Sequence, residues 1–491
     1  MKRREFMKTA GAAVTVAATA SRLEAKDKDK PNLVFVFTDQ QSWDFCGCYG
    51  NKEVKTPVLD KMAEEGVRFE HCVSQCPVCT PHRAMLLTGQ HPLNNGCLIN
   101  DIQMLNPEKQ SFADVLNANG YYTGYVGKWH LHGGMRARGV PKGPKRYGFD
   151  NEFFTNNCTV RFSAKDAFYW TDDNKKVMFN KFESDGQTDQ AVEFLDKHAG
   201  EKPFALFVSW HPPHNWVSPT GYDAPKKYMD MYDPAKITIR PGNKDDEKTR
   251  QQYRGYMALC SNVDFNLGRL VDKLEEKGVA DNTLIVFTSD HGDVLGAFGW
   301  KRHKNRPNQV SSRVPLVMKL PKTIKPHVNK TMVGTLDLMP TTLGLMGIKA
   351  PDVCQGTDYS RAIRKKKDVK VDYVPMFFWG YGDWRGVYTD RYTYAFQPKP
   401  GGLDCNVLFD RQNDPYELKN LFNSPEHEPL KKKLHAMTLE SMEKFGDKHV
   451  PWDVVKRKIY VHPRDADAKW EPYGRNGKGL LKGRPIDLIE G

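Results

Sequence analysis

Four apolar runs constrain the fold of this 491-residue chain more than any other feature. They read NLVFVF at 32–37, YYTGYV at 121–126, PFALFVSW at 203–210 and NTLIVFTS at 282–289. Runs of this kind, with few polar residues and no strict alternation, are typical of strands that are buried on both faces of a parallel sheet. Longer helical patterns separate them. The sequence therefore predicts an α/β fold in which helices sandwich a mostly parallel mixed sheet.

Within two residues of the end of each run lies a polar residue suited to binding metals or anions. The four runs lead to Asp39, Lys128, His211 and Asp290. In open α/β sheets, ligands bind beyond the carboxyl ends of the strands. A single aspartate at a strand end is more often a helix cap than a ligand, but this pattern occurs at four strand ends. We therefore expect one site to gather these side chains.

Two helices are predicted between the strands. Thr56 is a candidate N-cap, followed by Pro57 at the first helical position, and Gly66 closes the helix. A second, long amphipathic helix is expected from Tyr253 to Gly278.

Residues 1–25 have the pattern of a cleavable export signal. Arg3 and Arg4 precede Phe6, and an alanine-rich stretch of small residues follows at 10–20. This stretch is too short and too weakly apolar to span a bilayer, so we do not expect an integral membrane protein. The paired arginines favour the bacterial twin-arginine route, which implies a periplasmic or extracellular protein.

The net charge of +13 is compatible with an anionic partner. The sequence has no zinc-finger spacing, no basic helix with heptads and no aromatic and basic RNA motif, so we do not expect a nucleic-acid partner. The ten cysteines are scattered along the chain rather than gathered in a dense disulfide framework.

The stretch QCPVCTPHRAMLLTGQHP raises a separate question about Cys79. Pro81 favours the first turn of a helix, which would place this cysteine at a helix N-terminus, where free N–H groups attract an anion. A thiolate there could be a nucleophile. A disulfide with Cys76 or a zinc knuckle are the alternatives, although no second ligand pair with zinc spacing is visible.

The order of residues from Cys79 through Pro81 and Arg83 to Thr88 and Gly89 resembles the signature of the formylglycine-dependent sulfatases. Further motifs of that family follow in order along most of the chain: FTDQ, GKWHLH, HPPH, TSDHGD, KNRPNQVSSRVP and LFDRQNDPYELKNL. The resemblance implies an alkaline phosphatase-like fold. It also implies that a maturation enzyme converts Cys79 to formylglycine, whose hydrated form is the nucleophile.

The resemblance also assigns roles to the polar residues. It implies that Arg83 and Lys128 hold the nucleophile and that His130 takes its second proton. It implies that His214 and Lys304 clamp the sulfate and help the alcohol to leave. Lys304 is preferred to Lys301 because its spacing to 313–315 fits the family. We interpret His211 and His132 as structural.

A divalent cation is implied by the same resemblance. Its expected ligands are Asp39, Gln40, Cys79 in its modified form, Asp290 and His291. Ca²⁺ is the expected ion and Mg²⁺ the alternative, since most of the donors are oxygens. Gln40 and His291 stand where many relatives carry Asp and Asn, which lowers the negative charge of the expected site.

We expect the catalytic domain to span 31–365 and a smaller C-terminal domain, with an antiparallel sheet and a helix, to span 370–491. The stretch 376–397 predicts strands with turns between them. Its aromatic residues and Arg385 could line the mouth of a pocket, but such residues are more often core. The aromatic residues are Trp379, Tyr381 and Trp384.

Three functions remain open at this point. The first, and the most direct implication of the resemblance, is hydrolysis of an O-sulfate ester on a sulfated carbohydrate. The second is a formylglycine-dependent phosphonate monoester or phosphodiester hydrolase. The third is a protein without activity that binds a sulfated glycan and keeps Cys79 unmodified. The loops that would choose between substrates are not constrained by the signature.

Overall fold

A computed structural model describes residues 30–102, 104, 110–133, 136–300, 303–380, 382–397 and 404–448. The predicted export signal, the chain after residue 448, Lys301 and Tyr381 lie outside these ranges. Among the described residues, no helix combines the length and apolarity that a membrane span needs.

The described residues form seventeen strands, numbered in chain order. They are β1 (Asn32–Asp39), β2 (Val67–Phe69), β3 (Cys72–Val73), β4 (Tyr122–Gly127), β5 (Glu152–Phe154), β6 (Phe168–Trp170), β7 (Lys176–Met178), β8 (Phe204–Pro213), β9 (Thr283–Ser289), β10 (Arg313–Val314), β11 (Leu316–Lys319), β12 (His327–Asn329), β13 (Val333–Gly334), β14 (Val374–Phe378), β15 (Trp384–Tyr388), β16 (Tyr392–Phe396) and β17 (Val407–Asp410).

The α-helices of the described residues are numbered in the same way. They are α1 (Pro57–Glu65), α2 (Cys79–Thr88), α3 (Pro92–Asn95), α4 (Phe112–Ala118), α5 (Glu183–His198), α6 (Lys226–Met229), α7 (Glu247–Glu276), α8 (Gln309–Ser312), α9 (Thr335–Leu345), α10 (Ser360–Arg364) and α11 (Glu428–Lys444).

The main sheet has eight strands in the order β12-β2-β11-β9-β1-β8-β4-β5. Strand β1 lies at its centre and pairs in parallel with β8 and β9, and β4 extends the parallel part beyond β8. Strand β11 runs antiparallel to both β9 and β2. The prediction of a mostly parallel mixed sheet is confirmed, and each of the four apolar runs forms one of its strands.

Helices cover both faces of this sheet. Along β1, Val34 and Val36 belong to an apolar cluster with residues of α1, α5 and α7. Phe35 and Phe37 belong to the other large cluster, which contains residues of α2, α4 and α9. Because successive side chains of a strand point to opposite faces, one strand contributes to both cores.

A separate four-stranded antiparallel sheet, in the order β14-β15-β16-β17, lies in the C-terminal part and packs against α11. This confirms the predicted antiparallel sheet and helix, while the exact domain bounds stay a prediction. Trp379 and Trp384 are buried in the larger apolar core, as expected of core aromatics. Arg385 is also buried, where it pairs with Asp383 and Asp447.

The first predicted helix has the expected bounds but a different cap. Thr56 occupies the N-cap position, but its hydroxyl donates to Asp60 Oδ1 at 3.2 Å and accepts from no backbone N–H of the helix. Instead, the carboxylate of Asp264 on α7 accepts from the N–H groups of Val58 at 3.1 Å and Leu59 at 2.8 Å. A cap supplied by another helix cannot be recognised from local sequence.

The long helix α7 begins at Glu247, six residues before the predicted start, and ends at Glu276. Its N-cap is Asp246, whose side chain accepts from the Thr249 N–H at 2.9 Å. This cap satisfies a free donor of the first turn and allows the helix to begin ahead of its apolar stripe.

Replacing Asp264 with Ala should lower the free energy of unfolding by about 1–2 kcal/mol, because two N–H groups at the start of α1 lose their acceptor. Urea denaturation measures this difference. Glu64→Ala, an exposed change on α1 itself, is the control and should shift the value by less than about 0.5 kcal/mol. Equal stability of the two variants would show that Asp264 is not the cap.

Candidate active site

The candidate site lies at the carboxyl ends of β1, β4, β8 and β9, as the strand pattern predicted. Asp39 ends β1, and Asp290 follows β9 directly. Lys128 follows β4, whose last residue, Gly127, has a φ of +104°. A Cβ at this glycine would lie 2.1 Å from the carbonyl oxygen of Ser209 on β8. Glycine therefore permits the close strand approach that brings Lys128 into the site.

Cys79 is the first residue of α2, and every residue of that helix is buried. The structure thus confirms the helix start that Pro81 predicted. The helix N-terminus directs free N–H groups and a partial positive charge toward the site, an arrangement that favours anions. Cys79 is a free cysteine, so the disulfide interpretation is wrong for this structure.

The surroundings of Cys79 differ from those of Cys76. Burial and Asp39 raise the pKa of the Cys79 thiol, but Lys128, Lys304 and His291 outweigh them and hold that pKa well below its usual range. Burial raises the pKa of Cys76, which is therefore an inert thiol. The two cysteines are three positions apart, yet Cys79 lies among several cationic groups, whereas the single arginine near Cys76, Arg385, does not offset burial.

Four side chains form a buried cluster that could hold a metal ion: Asp39, Cys79, Asp290 and His291. Their ligand atoms all lie within 4.8 Å of one another. His291 Nε2 lies 3.5 Å from Asp39 Oδ1 and 3.4 Å from Asp290 Oδ1. Two carboxylates and an imidazole directed at one point are a suitable donor set for a divalent cation.

Gln40, the remaining predicted ligand, lies against the same cluster. Its backbone N–H donates to Asp290 Oδ1 at 3.0 Å, and its Nε2 donates to Asp293 Oδ2 at 2.7 Å and to Asn215 Oδ1 at 3.2 Å. Its Oε1 is buried and makes no hydrogen bond with the described residues. Buried acceptors rarely lack a partner, so this oxygen is available to a cation.

Two buried cations balance the two carboxylates. Lys128 Nζ forms an ion pair with Asp39 Oδ2. Arg83 donates to Asp290 Oδ2 through Nε at 3.1 Å and Nη2 at 2.9 Å, and to Ser209 Oγ at 2.6 Å. The predicted role of Arg83 and Lys128 beside the nucleophile therefore includes fixing the carboxylates that surround it.

These pairs set the charges of the carboxylates. Burial raises the pKa of Asp39, but the charges of Lys128, Lys304 and Arg83 outweigh burial and hold that pKa well below its usual range. Burial and the neighbouring Asp39 together raise the pKa of Asp290. Asp39 is thus firmly ionised, whereas the raised pKa of Asp290 is one that a bound cation would lower.

Lys304 and His214 complete the site on another side of Cys79. Lys304 Nζ lies 3.0 Å from Cys79 Sγ, 3.1 Å from His214 Nε2 and 3.3 Å from His291 Nε2. Burial and the Lys304 charge hold the pKa of His214 well below its usual range. The structure places Lys304 beside Cys79, the residue that the family spacing pairs with it, whereas Lys301 lies outside the described residues.

His130 has a partner that the sequence did not suggest. Its Nε2 forms a hydrogen bond with Asp101 Oδ1 at 2.9 Å. Burial and Lys128 lower the pKa of His130, but Cys158 and Asp101 raise it to about 10. The imidazole is therefore protonated at neutral pH, and the predicted proton-accepting role requires this proton to leave first.

The two histidines interpreted as structural are both buried. His211 Nδ1 lies 3.0 Å from Glu183 Oε2, and neither side chain is exposed. Asp101, Ser209 and Asn215 contact the site but were missed. Asp101 and Asn215 lie in loops and Ser209 lies inside an apolar strand, so no spacing rule singles them out.

Comparison with known proteins agrees with the geometry. Residues 31–348 match the model of the sulfatase family, and residues 296–444 match that of the C-terminal region of N-sulphoglucosamine sulphohydrolase. An ulvan-active sulfatase from Formosa agariphila is 35% identical over 94% of this chain and 90% of its own length. An N-acetylglucosamine-6-O-sulfatase from Bacteroides thetaiotaomicron is 25% identical over 89% of this chain and 90% of its own length.

A solved structure has the same architecture. YidJ of Bacteroides fragilis, described as a sulfatase, superposes with a TM-score of 0.77 and 32% identity, covering 86% of this chain and 97% of that protein. The family match covers more than half of the chain, and the matched region contains all the predicted site residues. The chain therefore belongs to the sulfatases, the family of enzymes that hydrolyse sulfuric esters.

Proposed function

We propose that this protein hydrolyses an O-sulfate ester of a carbohydrate through a formylglycine formed from Cys79. The observation that carries the proposal is the placement of Cys79 at a buried helix N-terminus, with Lys304 Nζ at 3.0 Å and two carboxylates alongside. An anionic sulfate group needs such a concentration of positive charge at the point of attack.

The nucleophile and the cation each supply one chemical function. Formylglycine at position 79 supplies, in its hydrated form, a hydroxyl that attacks sulfur. A divalent cation supplies charge that draws electron density from the sulfate oxygens. Asp39, Gln40, Asp290, His291 and the modified residue 79 would hold that cation, with Ca²⁺ as the proposed ion and Mg²⁺ as the alternative.

The residues around them bind and orient the ester. Lys304 lies between His214 and Cys79, so its ammonium can donate to a sulfate oxygen and then to the oxygen of the departing alcohol. His214 has a lowered pKa and is neutral at pH 7, so one ring nitrogen accepts a hydrogen bond while the other donates. Together they can neutralise the charge that develops when the S–O bond breaks.

A sulfated carbohydrate is the proposed substrate class. The relatives at 35% and 25% identity are an ulvan-active sulfatase and an N-acetylglucosamine-6-O-sulfatase, which supports a sugar as the alcohol. The net charge of +13 is compatible with a polyanionic chain. We further propose that the pair Arg3 and Arg4 directs export by the twin-arginine route to the periplasm or beyond, and that a maturation enzyme acts on Cys79.

Sulfate release from a panel of defined sulfated sugars tests this function. The protein is coexpressed with a maturation enzyme, and an aryl sulfate, an aryl phosphonate and a phosphodiester are included in the panel. Turnover of at least one sulfated sugar at a kcat/KM above that for phosphonate and phosphodiester is expected. Faster turnover of the phosphorus esters would identify the phosphonate hydrolase, and binding of sulfated sugar without release would identify a binding protein.

Replacing Asp290 with Ala should remove the bound metal and lower kcat/KM by more than about 100-fold, because the cation loses a carboxylate and Arg83 loses its partner. Metal content by elemental analysis and sulfate release are measured on the same sample. Asp189→Ala, which removes a surface carboxylate, is the control. Full metal content together with full activity in the Asp290 variant would contradict the ligand assignment.

Replacing Lys304 with Ala should lower kcat/KM by about 100-fold or more, because the site loses a preorganised charged donor aimed at the transferred group. Lys301→Ala is the matched control and should change kcat/KM little. Both variants are compared at equal formylglycine content. An essential Lys301 with a dispensable Lys304 would show that the wrong lysine was chosen.

A further inference from the structure

Asp101 joins a buried histidine to a partly exposed arginine at the edge of the site. His130 Nε2 lies 2.9 Å from Asp101 Oδ1. Arg136 donates to the same carboxylate through both ends of its fork, from Nε to Oδ1 at 2.8 Å and from Nη2 to Oδ2 at 2.7 Å. The side chain of His130 is 2% exposed, that of Asp101 31% and that of Arg136 48%. The bidentate pairing fixes the orientation of the carboxylate.

The backbone connects this group to the residue after the nucleophile. Thr80 Oγ1 donates to the carbonyl oxygen of His130 at 2.8 Å and accepts from the N–H of Asp101 at 3.4 Å. The N–H of Thr80 donates to Asn100 Oδ1 at 2.9 Å. Asp101 and His130 are therefore anchored to the first turn of the helix that carries Cys79.

Both partners have an unusual backbone conformation. The φ of Asp101 is +67° and that of His130 is +58°, in the left-handed region that residues other than glycine seldom adopt. Such conformations persist where the surrounding structure determines them strongly, and they concentrate at active sites. Here the hydrogen bonds of Thr80 Oγ1 to the backbones of His130 and Asp101 hold both residues in this conformation.

The second ring nitrogen of His130 faces away from the carboxylate. His130 Nδ1 is buried and makes no hydrogen bond of normal geometry with the described residues. The other ionisable groups beside the ring are the Lys128 ammonium, from the end of β4, and the Cys158 thiol, from the loop after β5. A carboxylate that accepts only at Nε2–H leaves Nδ1 as the nitrogen that can exchange a proton with the site.

We propose that Asp101 is a positioning residue for His130 and that Arg136 holds Asp101 in place. Asp101 keeps the Nε2–H directed at its carboxylate, so that Nδ1 is the ring nitrogen left to exchange a proton. The proposal rests on the proposed function, since it assumes that His130 takes part in sulfate ester hydrolysis. Nothing in the sequence signature marks Asp101 or Arg136.

Two variants test this role in the matured protein. Asp101→Asn should lower kcat by about 100-fold, because an amide can donate to Nε2 and reverse the proton arrangement of the ring. Arg136→Met should lower kcat less, by about tenfold, since Asp101 remains but is free to move. Formylglycine content and thermal unfolding temperature are matched across variants. Asp410→Asn is the control, because Arg391 holds Asp410 in the same bidentate way, outside the site.

A second readout does not depend on turnover. The pKa of His130 is measured by NMR on protein with ¹⁵N-labelled histidine and Cys79 left as thiol, with His130→Gln identifying the signal. Asp101→Asn should lower this pKa by about one unit or more, because the imidazolium loses its counter-charge, whereas Asp410→Asn should leave it unchanged. A residue that only supports the loop would not move it.

The positioning role of Asp101 and the proposed sulfatase function can fail independently, and different results would show each failure. An unchanged pKa of His130 in Asp101→Asn overturns the positioning role whatever the activity. So does an increase in KM with kcat unchanged, which would mean that Asp101 contacts the substrate directly. If the wild-type protein, fully converted to formylglycine, releases no sulfate from any ester, the proposed function fails, and the pKa shift alone then reports whether Asp101 holds His130.

Discussion

The site depends on the pairing of two buried carboxylates with two buried cations. Asp39 pairs with Lys128 and Asp290 pairs with Arg83, and none of the four side chains is more than 1% exposed. A buried charge without a partner destabilises a protein by several kcal/mol, so the strand ends that carry Asp39, Lys128 and Asp290 and the helix α2 that carries Arg83 must all be in place together. The strand order β9-β1-β8-β4 brings these strand ends together and therefore helps to give each buried charge its partner.

The same pairing gives Cys79 its chemical character. A thiol buried among apolar groups is inert, as the raised pKa of Cys76 illustrates. Cys79 has a lowered pKa because Lys128, Lys304 and His291 surround it at the start of α2. An environment that stabilises negative charge on sulfur also stabilises negative charge on an oxygen nucleophile or a sulfate group at the same point. The surroundings that suit a thiolate thus suit the proposed reaction.

Much of the fold could be predicted because its signals are local. Buried strands appear as apolar runs, and parallel strands place their carboxyl ends at one edge, which is why the sequence alone predicts that Asp39, Lys128 and Asp290 share a site. The register of Lys304 followed from its distance along the chain to 313–315. The placement of the strand ends needed only neighbouring residues and one rule of sheet topology, whereas the choice of Lys304 also needed the resemblance to the sulfatase family.

The remaining features depend on contacts between distant segments. The cap of α1 comes from Asp264, about two hundred positions away, and replaces the predicted Thr56 cap. Asp101 reaches His130 through a loop whose left-handed conformation has no sequence signal. Despite burial, Cys158 and Asp101 raise the pKa of His130 to about 10.

The fraction of Cys79 converted to formylglycine, measured by peptide mass spectrometry and compared with turnover in the same samples, tests the central claim most directly. Preparations made with increasing amounts of a maturation enzyme provide the range. The account predicts that kcat per protein molecule rises in proportion to the converted fraction and falls to zero when position 79 is entirely thiol. Undiminished sulfate release from protein that carries only the thiol would contradict it.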